Sequence, residues 1–191
     1  MKAGYFMQAY IVSDEEYHTH FFKQLYCLTT AALENAGYEV LHTAVSRGML
    51  RSCAGCFGCW VQKPGECVIP DSIGEINRRA INSDLVVYLS PVVFGQFSAN
   101  IKDVIDRWLP NMLPFFMTRP DGSTMHPPRY RDYPRQLMIG YGEDVSKEDE
   151  ELFRDITKKH RSNVEAVVYR SDEALVHTIK EIPSARIGGM L

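Results

Sequence analysis

Four cysteines, Cys53, Cys56, Cys59 and Cys67, lie within fifteen residues, spaced C-x2-C-x2-C-x7-C, and Cys27 stands apart. Thiolates are soft metal ligands and redox nucleophiles, so such a cluster points to metal, to redox chemistry or to a tight structural turn. An odd cysteine count without a secretory signal argues against a disulfide framework. Zinc is the weaker metal reading, because zinc sites usually pair two separated C-x2-C units. A turn of buried small residues, with Gly55, Gly58 and Gly65 shaping the backbone, needs no ligand at all.

Three further segments have residue types suited to ligand binding. Ser13–Thr19 follows the first apolar run, Pro91–Ser98 follows a buried one, and Gly140–Ser146 follows a third. To place them, the elements must be read along the chain.

Apolar runs alternate with helical patterns throughout. Strands are predicted at Tyr5–Val12, Tyr38–Val45, Leu85–Ser90, Leu137–Tyr141 and Val164–Tyr169. The run Leu-Val-Val-Tyr-Leu suits a strand buried on both faces, and Pro91 is expected to end it. Phe21, Phe22, Leu25, Leu28, Ala32 and Leu33 recur at helical spacing, and Asn35-Ala36-Gly37 stops that helix. Ser72 and Glu75 have capping-box spacing for a helix to about Asn82. Ser98 caps a helix with Ile101, Val104, Ile105 and Trp108 inward, and two more helices are predicted at Ser146–His160 and Asp172–Glu181. Five strands alternating with helices imply an α/β protein, a parallel sheet covered on both faces. Ligands of such sheets sit beyond the carboxyl ends of the strands, which selects the three segments above.

The 191 residues are expected to form one domain, 1–191, with a Cys-rich loop 51–70 and a Pro-rich excursion 109–134. A net charge of −3 gives no footprint for nucleic acid or an anionic membrane. No apolar run approaches the roughly 18 residues of a membrane span. With no leader of signal-peptide type, a cytoplasmic location is expected.

The stretch Cys53-Ala-Gly-Cys56-Phe-Gly-Cys59-Trp60, followed by Pro64-Gly65-Glu66-Cys67 and Asp71, resembles the NAD(P)H-dependent FMN reductase family, especially its iron–sulfur flavoprotein branch. Asp84–Gly95 resembles that family's third strand and flavin-ring loop, and Ser98–Arg107 its next helix. Leu113–Phe116, His126, Arg129-Tyr130 and Tyr133-Pro134 resemble an insert found in some members. The resemblance implies a flavodoxin-like three-layer sandwich with strand order 2-1-3-4-5. It implies an oxidoreductase passing electrons from NAD(P)H through FMN to a small-molecule or protein acceptor, assembled as a dimer or tetramer. It also makes Cys53, Cys56, Cys59 and Cys67 the candidate ligands of a 4Fe–4S cluster, in which case the protein is an iron–sulfur electron carrier.

For FMN, the implied contacts are Ser13, His18 and Thr19 at the phosphate, Pro91, Val92, Val93, Phe94, Gly95 and Gln96 along the ring, and Tyr141 and Gly142 beside it. The catalytic chemistry then belongs to the cofactor, with no acid or base required. The β1 loop departs from the family pattern: Asp14, Glu15 and Glu16 repel a phosphate, and no Lys or Arg occurs between Lys2 and Lys23. A competing expectation follows, a degenerate relative that has lost FMN and serves as a binding or thiol-sensing protein.

Among the remaining candidates, Lys102 and Asp106 have the spacing of a surface ion pair, with Arg107 beside them. His18-x-His20 is expected to be solvated or capping, and Trp60 and Trp108 to be packing residues. Met112, Phe115, Phe116 and Met117 form an apolar patch expected at a subunit interface or a flavin-pocket wall.

Overall fold

The computed structural model describes residues 7–17, 20–160, 164–183 and 186–188. In chain order the elements are β1 (Met7–Asp14), α1 (His20–Asn35), β2 (Tyr38–Val45), α2 (Gly58–Val61), α3 (Ile73–Asn82), β3 (Leu85–Val93) and β4 (Gln96–Phe97). Then come α4 (Ala99–Asp106), a 3-10 turn at Leu109–Asn111, β5 (Met117–Thr118), β6 (Thr124–Met125), β7 (Asp132–Tyr133) and β8 (Arg135–Tyr141). The chain closes with α5 (Lys147–His160), β9 (Val164–Val168), α6 (Asp172–Glu181) and β10 (Ile187–Gly188).

Alternation along the strands builds the layers. Ala9, Ile11, Leu85, Val87, Leu89, Leu137 and Ile139 pack on Phe22, Leu25 and Leu33 of α1 and Leu175 and Ile179 of α6. The intervening residues, Tyr10, Val12, Val86, Tyr88 and Met138, meet α3, α4 and α5 on the other face. A slip of one residue would exchange these two sets, so burial on both faces fixes the register. The main sheet has the order β2-β1-β3-β8-β9, all parallel, with β4 folded back antiparallel on β3. The flavodoxin-like order is therefore as expected. Its reversal of direction lies between β1 and β3, and at the carboxyl edge of such a reversal sheets of this kind form their ligand crevice.

Several local expectations are corrected. β1 runs on to Asp14, and Tyr5 and Phe6 lie outside the described residues. β3 continues through Pro91 to Val93, with Pro91 opposite Tyr141. The pairing with β1 has ended at Leu89, so Pro91 sits where β3 has become an edge and lacks only an N–H that the edge does not use. Ser72 does not form a capping box; the Asp71 carboxylate accepts from the Ile73 N–H instead, at 3.1 Å. Glu75 pairs with Arg78 and Arg79, each at 2.7 Å, and those cations hold its carboxyl at about 2. Ser98 caps α4 as expected, and the Lys102–Asp106 pair forms at 2.5 Å.

The excursion is an ordered flap rather than a bare loop. β5 and β6 form a small hairpin, and β7 pairs with β10. Trp60 Nε1 donates to the carbonyls of Leu109 and Met112, which ties the flap to the Cys-rich loop, and Arg129 Nε donates to that of Pro110 within the flap. Near the end of the chain, Ile187–Gly188 lies on β7, and residues 189–191 lie outside the described residues.

Candidate functional site

The carboxyl ends of β1, β3 and β8 converge with the start of α4. Asn100, in the first turn of α4, donates through Nδ2 to Asp14 Oδ1 at 3.1 Å, joining α4 to the end of β1. A Cβ on Gly140 would lie 2.8 Å from Val92 Cγ2, so β8 and the extension of β3 are in close contact there. The expected site residues do meet at one edge, with two exceptions: His18 and Thr19 lie outside the described residues.

At the ring end, Pro91, Val92 and Val93 finish β3, and Phe94 and Gly95 make the turn into β4 with φ of 49° and 68°. Gly95 is the position where a side chain is hardest to place, since a Cβ would meet Leu152 Cδ2 at 2.7 Å. Gln96 is exposed, and Phe94 is 88% exposed, so the turn presents an apolar ring and a polar amide at the rim of the edge. These groups fit the polar margin and face of an isoalloxazine.

The phosphate end is different. Ser13 is fully buried, and its hydroxyl is hydrogen bonded to His42 Nε2 at 2.8 Å. The Glu15 N–H donates to the Val45 carbonyl, and the Glu16 N–H to Asp14 Oδ1 at 2.9 Å. Glu15 and Glu16 face solvent, and Glu16 pairs with Arg47 at 3.2 Å. Their charges are therefore screened. Asp14 is the inward one: it is fully buried, and its Oδ2 has no hydrogen-bond partner among the described residues. Tyr141, at the end of β8, is also buried with an unpartnered hydroxyl. Burial, the Asp14 carboxylate and Tyr17 push the Tyr141 phenol well above its ordinary value. The Asp14 carboxylate opposes a phosphate placed beside it, and the Glu15 and Glu16 N–H groups are already engaged, while the expected donors His18 and Thr19 lie outside the described residues.

The cysteine loop forms a separate centre. Cys53 and Cys56 are exposed, Cys59 is buried and Cys67 half-buried, and all five cysteines are free. Burial, and then the neighbouring Cys67, push the Cys59 thiol up. Among the described residues, no three His, Cys, Asp or Glu side chains converge as a site for a single metal ion, although Cys67, Cys53 and Cys56 all lie near enough to Cys59 to act on its thiol. The loop is fastened by a residue that the sequence left at the surface. Arg107 is 1% exposed; it forms an ion pair with Asp71 and donates to Cys67 Sγ at 3.0 Å and the Arg51 carbonyl at 2.9 Å. A signal for this existed, since Arg107 lies three residues beyond Val104, beside the inward face of α4.

A cavity of about 560 Å³ lies under the flap, walled by Cys53, Ile105, Trp108, Met112, Met125 and Tyr133. It adjoins the far end of α4 from Asn100 and so is distinct from the sheet crevice. Trp108 is buried packing, as expected, whereas Trp60 stacks on Phe57 with ring centroids 5.3 Å apart. Phe115 and Phe116 remain 64% and 74% exposed.

The family model described as NADPH-dependent FMN reductase matches residues 18–117. An iron–sulfur flavoprotein of Archaeoglobus fulgidus is 40% identical over 78 residues, 41% of this chain and 34% of that protein. One from Methanocaldococcus jannaschii is 30% identical over 94 residues, 49% of this chain and 48% of that protein. The chain thus spans no more than about half the length of these curated relatives. Among solved structures, an NAD(P)H:quinone oxidoreductase from Methanothermobacter marburgensis superposes with a TM-score of 0.61 at 15% identity, covering 91% of this chain and 92% of that one. An FMN-dependent NADH-azoreductase from Bacillus anthracis, solved with FMN, gives 0.55 at 11% identity, covering 92% and 97%. These two likenesses concern the fold.

Proposed function

This chain belongs to the NADPH-dependent FMN reductase family, and from that membership we propose that it is a flavin-dependent oxidoreductase passing electrons from NAD(P)H to a small acceptor or a redox partner. The observation that carries the reading is the convergence of the β1, β3 and β8 ends at the sheet's reversal point, with the Val92–Gln96 turn at its rim. A bound flavin supplies the redox chemistry; the chain supplies position. Val92 and Val93 offer the apolar ledge, Gln96 a polar contact, and the buried Tyr141 side chain the floor. The family name includes FMN, which supports FMN as that flavin, and the buried Asp14 carboxylate is the feature at this end that opposes its phosphate.

Two further parts of the proposal are oligomeric state and location. Exposed Phe115 and Phe116 on the flap support a homodimer, because apolar surface of this size is costly in a monomer. Five free thiols support a reducing compartment, and a cytoplasmic site is proposed on that ground. Among the described residues no helix is long and apolar enough to cross a membrane.

A second reading has an observation of its own. Identity to proteins named iron–sulfur flavoproteins supports a 4Fe–4S cluster on Cys53, Cys56, Cys59 and Cys67. It requires the loop to rearrange, since two thiols point outward and Cys67 is held by Arg107.

The test is the visible spectrum of protein purified without air, with iron and sulfide assayed on the same sample and NADH or NADPH oxidation followed with a quinone acceptor. Flavin absorbance, or its appearance on adding flavin, with nucleotide oxidation supports the first reading. Equal iron and sulfide supports the second. A sample that stays colourless with flavin supplied supports the degenerate relative.

A further inference from the structure

The β1 loop contains an anion of its own. Asp14 Oδ1 accepts from the Glu16 N–H at 2.9 Å and from Asn100 Nδ2 at 3.1 Å, and the Glu15 N–H is spent on the Val45 carbonyl. In a loop that leads to a helix, these are donors an incoming phosphate could otherwise share. The carboxylate is fully buried, its Oδ2 is unpartnered, and the ion pair nearest in sequence, Glu16 with Arg47, is solvent exposed. Burial reduces the screening that spares Glu15 and Glu16, so a charge on Asp14 is felt more strongly than theirs by anything brought to this end of the sheet. Tyr141 Oη, also buried and unpartnered, adds a neutral hydroxyl at the same edge.

We infer that Asp14 is a specificity-determining residue that turns the crevice away from phosphorylated flavin, and that the ligand it accepts is an unphosphorylated one, riboflavin or a riboflavin-like isoalloxazine ending in a hydroxyl. Neutral hydroxyl groups meet no charge repulsion and can donate to an unpartnered carboxylate oxygen, whereas a phosphate dianion is repelled and has no proton to donate. The inference rests on the flavin reading above. It adds the chemical class of the ligand's far end.

The experiment is a titration of flavin-free protein with riboflavin and, separately, with FMN, followed by quenching of flavin fluorescence, for the wild type, Asp14→Asn, Asp14→Ser and the exposed control Glu15→Gln. Circular dichroism checks that each variant is folded. The expected result is that riboflavin binds the wild type at least about tenfold more tightly than FMN. Both Asp14 variants should shift that ratio toward FMN by a similar factor, with Glu15→Gln leaving it within about twofold. The wild-type ratio needs no variant and decides the matter if the Asp14 variants fail to fold. Equal or tighter binding of FMN by the wild type overturns the inference and leaves the flavin reading standing. Preference for riboflavin that survives in a folded Asp14→Ser protein overturns the role of Asp14. Binding of neither flavin by the wild type overturns the flavin reading itself, and the inference with it.

Discussion

Arg107, at the end of α4, and Asp71, just before α3, form a largely buried ion pair, with Arg107 enclosed and Asp71 slightly exposed, that also gathers the Cys67 thiol and the Arg51 carbonyl. Thirty-six residues of chain separate the two partners. Arg107 in turn is anchored through its own carbonyl, which accepts from Asn77 Nδ2 at 3.0 Å. One guanidinium thereby connects both ends of the Cys-rich loop to two helices of the same face.

Replacing Arg107 by Met should cost about 3–5 kcal/mol, because the Asp71 carboxylate is left buried without its counter-charge. The double variant Arg107→Met, Asp71→Leu should recover much of that loss, since no uncompensated charge remains. Urea unfolding of the four proteins measures the coupling. Purely additive losses would show that the pair contributes no interaction of its own.

Acid should loosen this node. Burial raises the Asp71 carboxyl, but the Arg107 guanidinium and the Arg51 and Ile73 N–H groups outweigh it and hold the group below its ordinary value. A depressed folded-state pKa means that the unfolded chain binds the proton more readily. The contribution is therefore complete above the unfolded value of about 3.9 and is lost as pH falls through the folded value. The stability difference between the wild type and Asp71→Asn should be flat above about pH 5 and shrink below about pH 4, with a slope no steeper than about 1.4 kcal/mol per pH unit. A difference that stays constant down to pH 2 would show that Asp71 is not held in this way.

The sheet was legible because its strands are buried on both faces: Leu85–Leu89 can be nothing but a core strand, and β2 and α6 begin and end where their periodicity does. The extension of β3 through Pro91 was not legible, because whether a proline breaks a strand depends on where the neighbouring strand stops. Arg107 was missed for a related reason, since its partners lie 36 and 40 residues away and helical spacing pairs only near neighbours. At the candidate site, the acidic β1 loop stood out in the sequence, but all three acids read alike there. Only the fold separates Asp14, turned in toward Asn100, from Glu15 and Glu16, turned out.

Two glycines should respond in opposite directions. A Cβ on Gly140 would lie 2.8 Å from Val92 Cγ2 and 2.9 Å from Phe153 Cε1. Gly140→Ala should therefore destabilise by about 1–3 kcal/mol through overpacking. Gly74 is helical, with nothing within 4 Å of its virtual Cβ, so Gly74→Ala should be neutral or stabilising by up to about 1 kcal/mol. Denaturation midpoints decide both, and a tolerated Gly140→Ala would mean that β3 and β8 are less closely packed at the crevice than described.

Phe115 and Phe116 should matter to assembly more than to folding. Both are more than half exposed, and the Phe116 ring packs at a tilt against His126, itself against Trp60. Phe115→Ser with Phe116→Ser should leave thermal stability within about 1 kcal/mol of the wild type when both are measured as monomers. Light scattering should show the homodimer shifted toward monomer. A wild type that is already monomeric at micromolar concentration would remove the flap as the subunit interface.

Alkylation of the thiols separates the empty loop from a loaded one. In the loop as folded, Cys53 and Cys56 are exposed, whereas Cys59 is buried and its thiol is pushed up by burial and by the neighbouring Cys67. The reactive species is the thiolate, so Cys59 lacks both access and the reactive form near neutral pH. Cys67 is half-buried and its sulfur accepts from Arg107. Iodoacetamide at about pH 7.5, followed by mass spectrometry, should label Cys53 and Cys56 at least tenfold faster than Cys59, with the exposed Cys27 as an internal reference for rapid labelling. If iron and sulfide are present and the four loop thiols hold a cluster, all four should be protected together while Cys27 still reacts. A graded order indicates the loop described above, and uniform protection that disappears on chelation indicates a loop rearranged around a cluster.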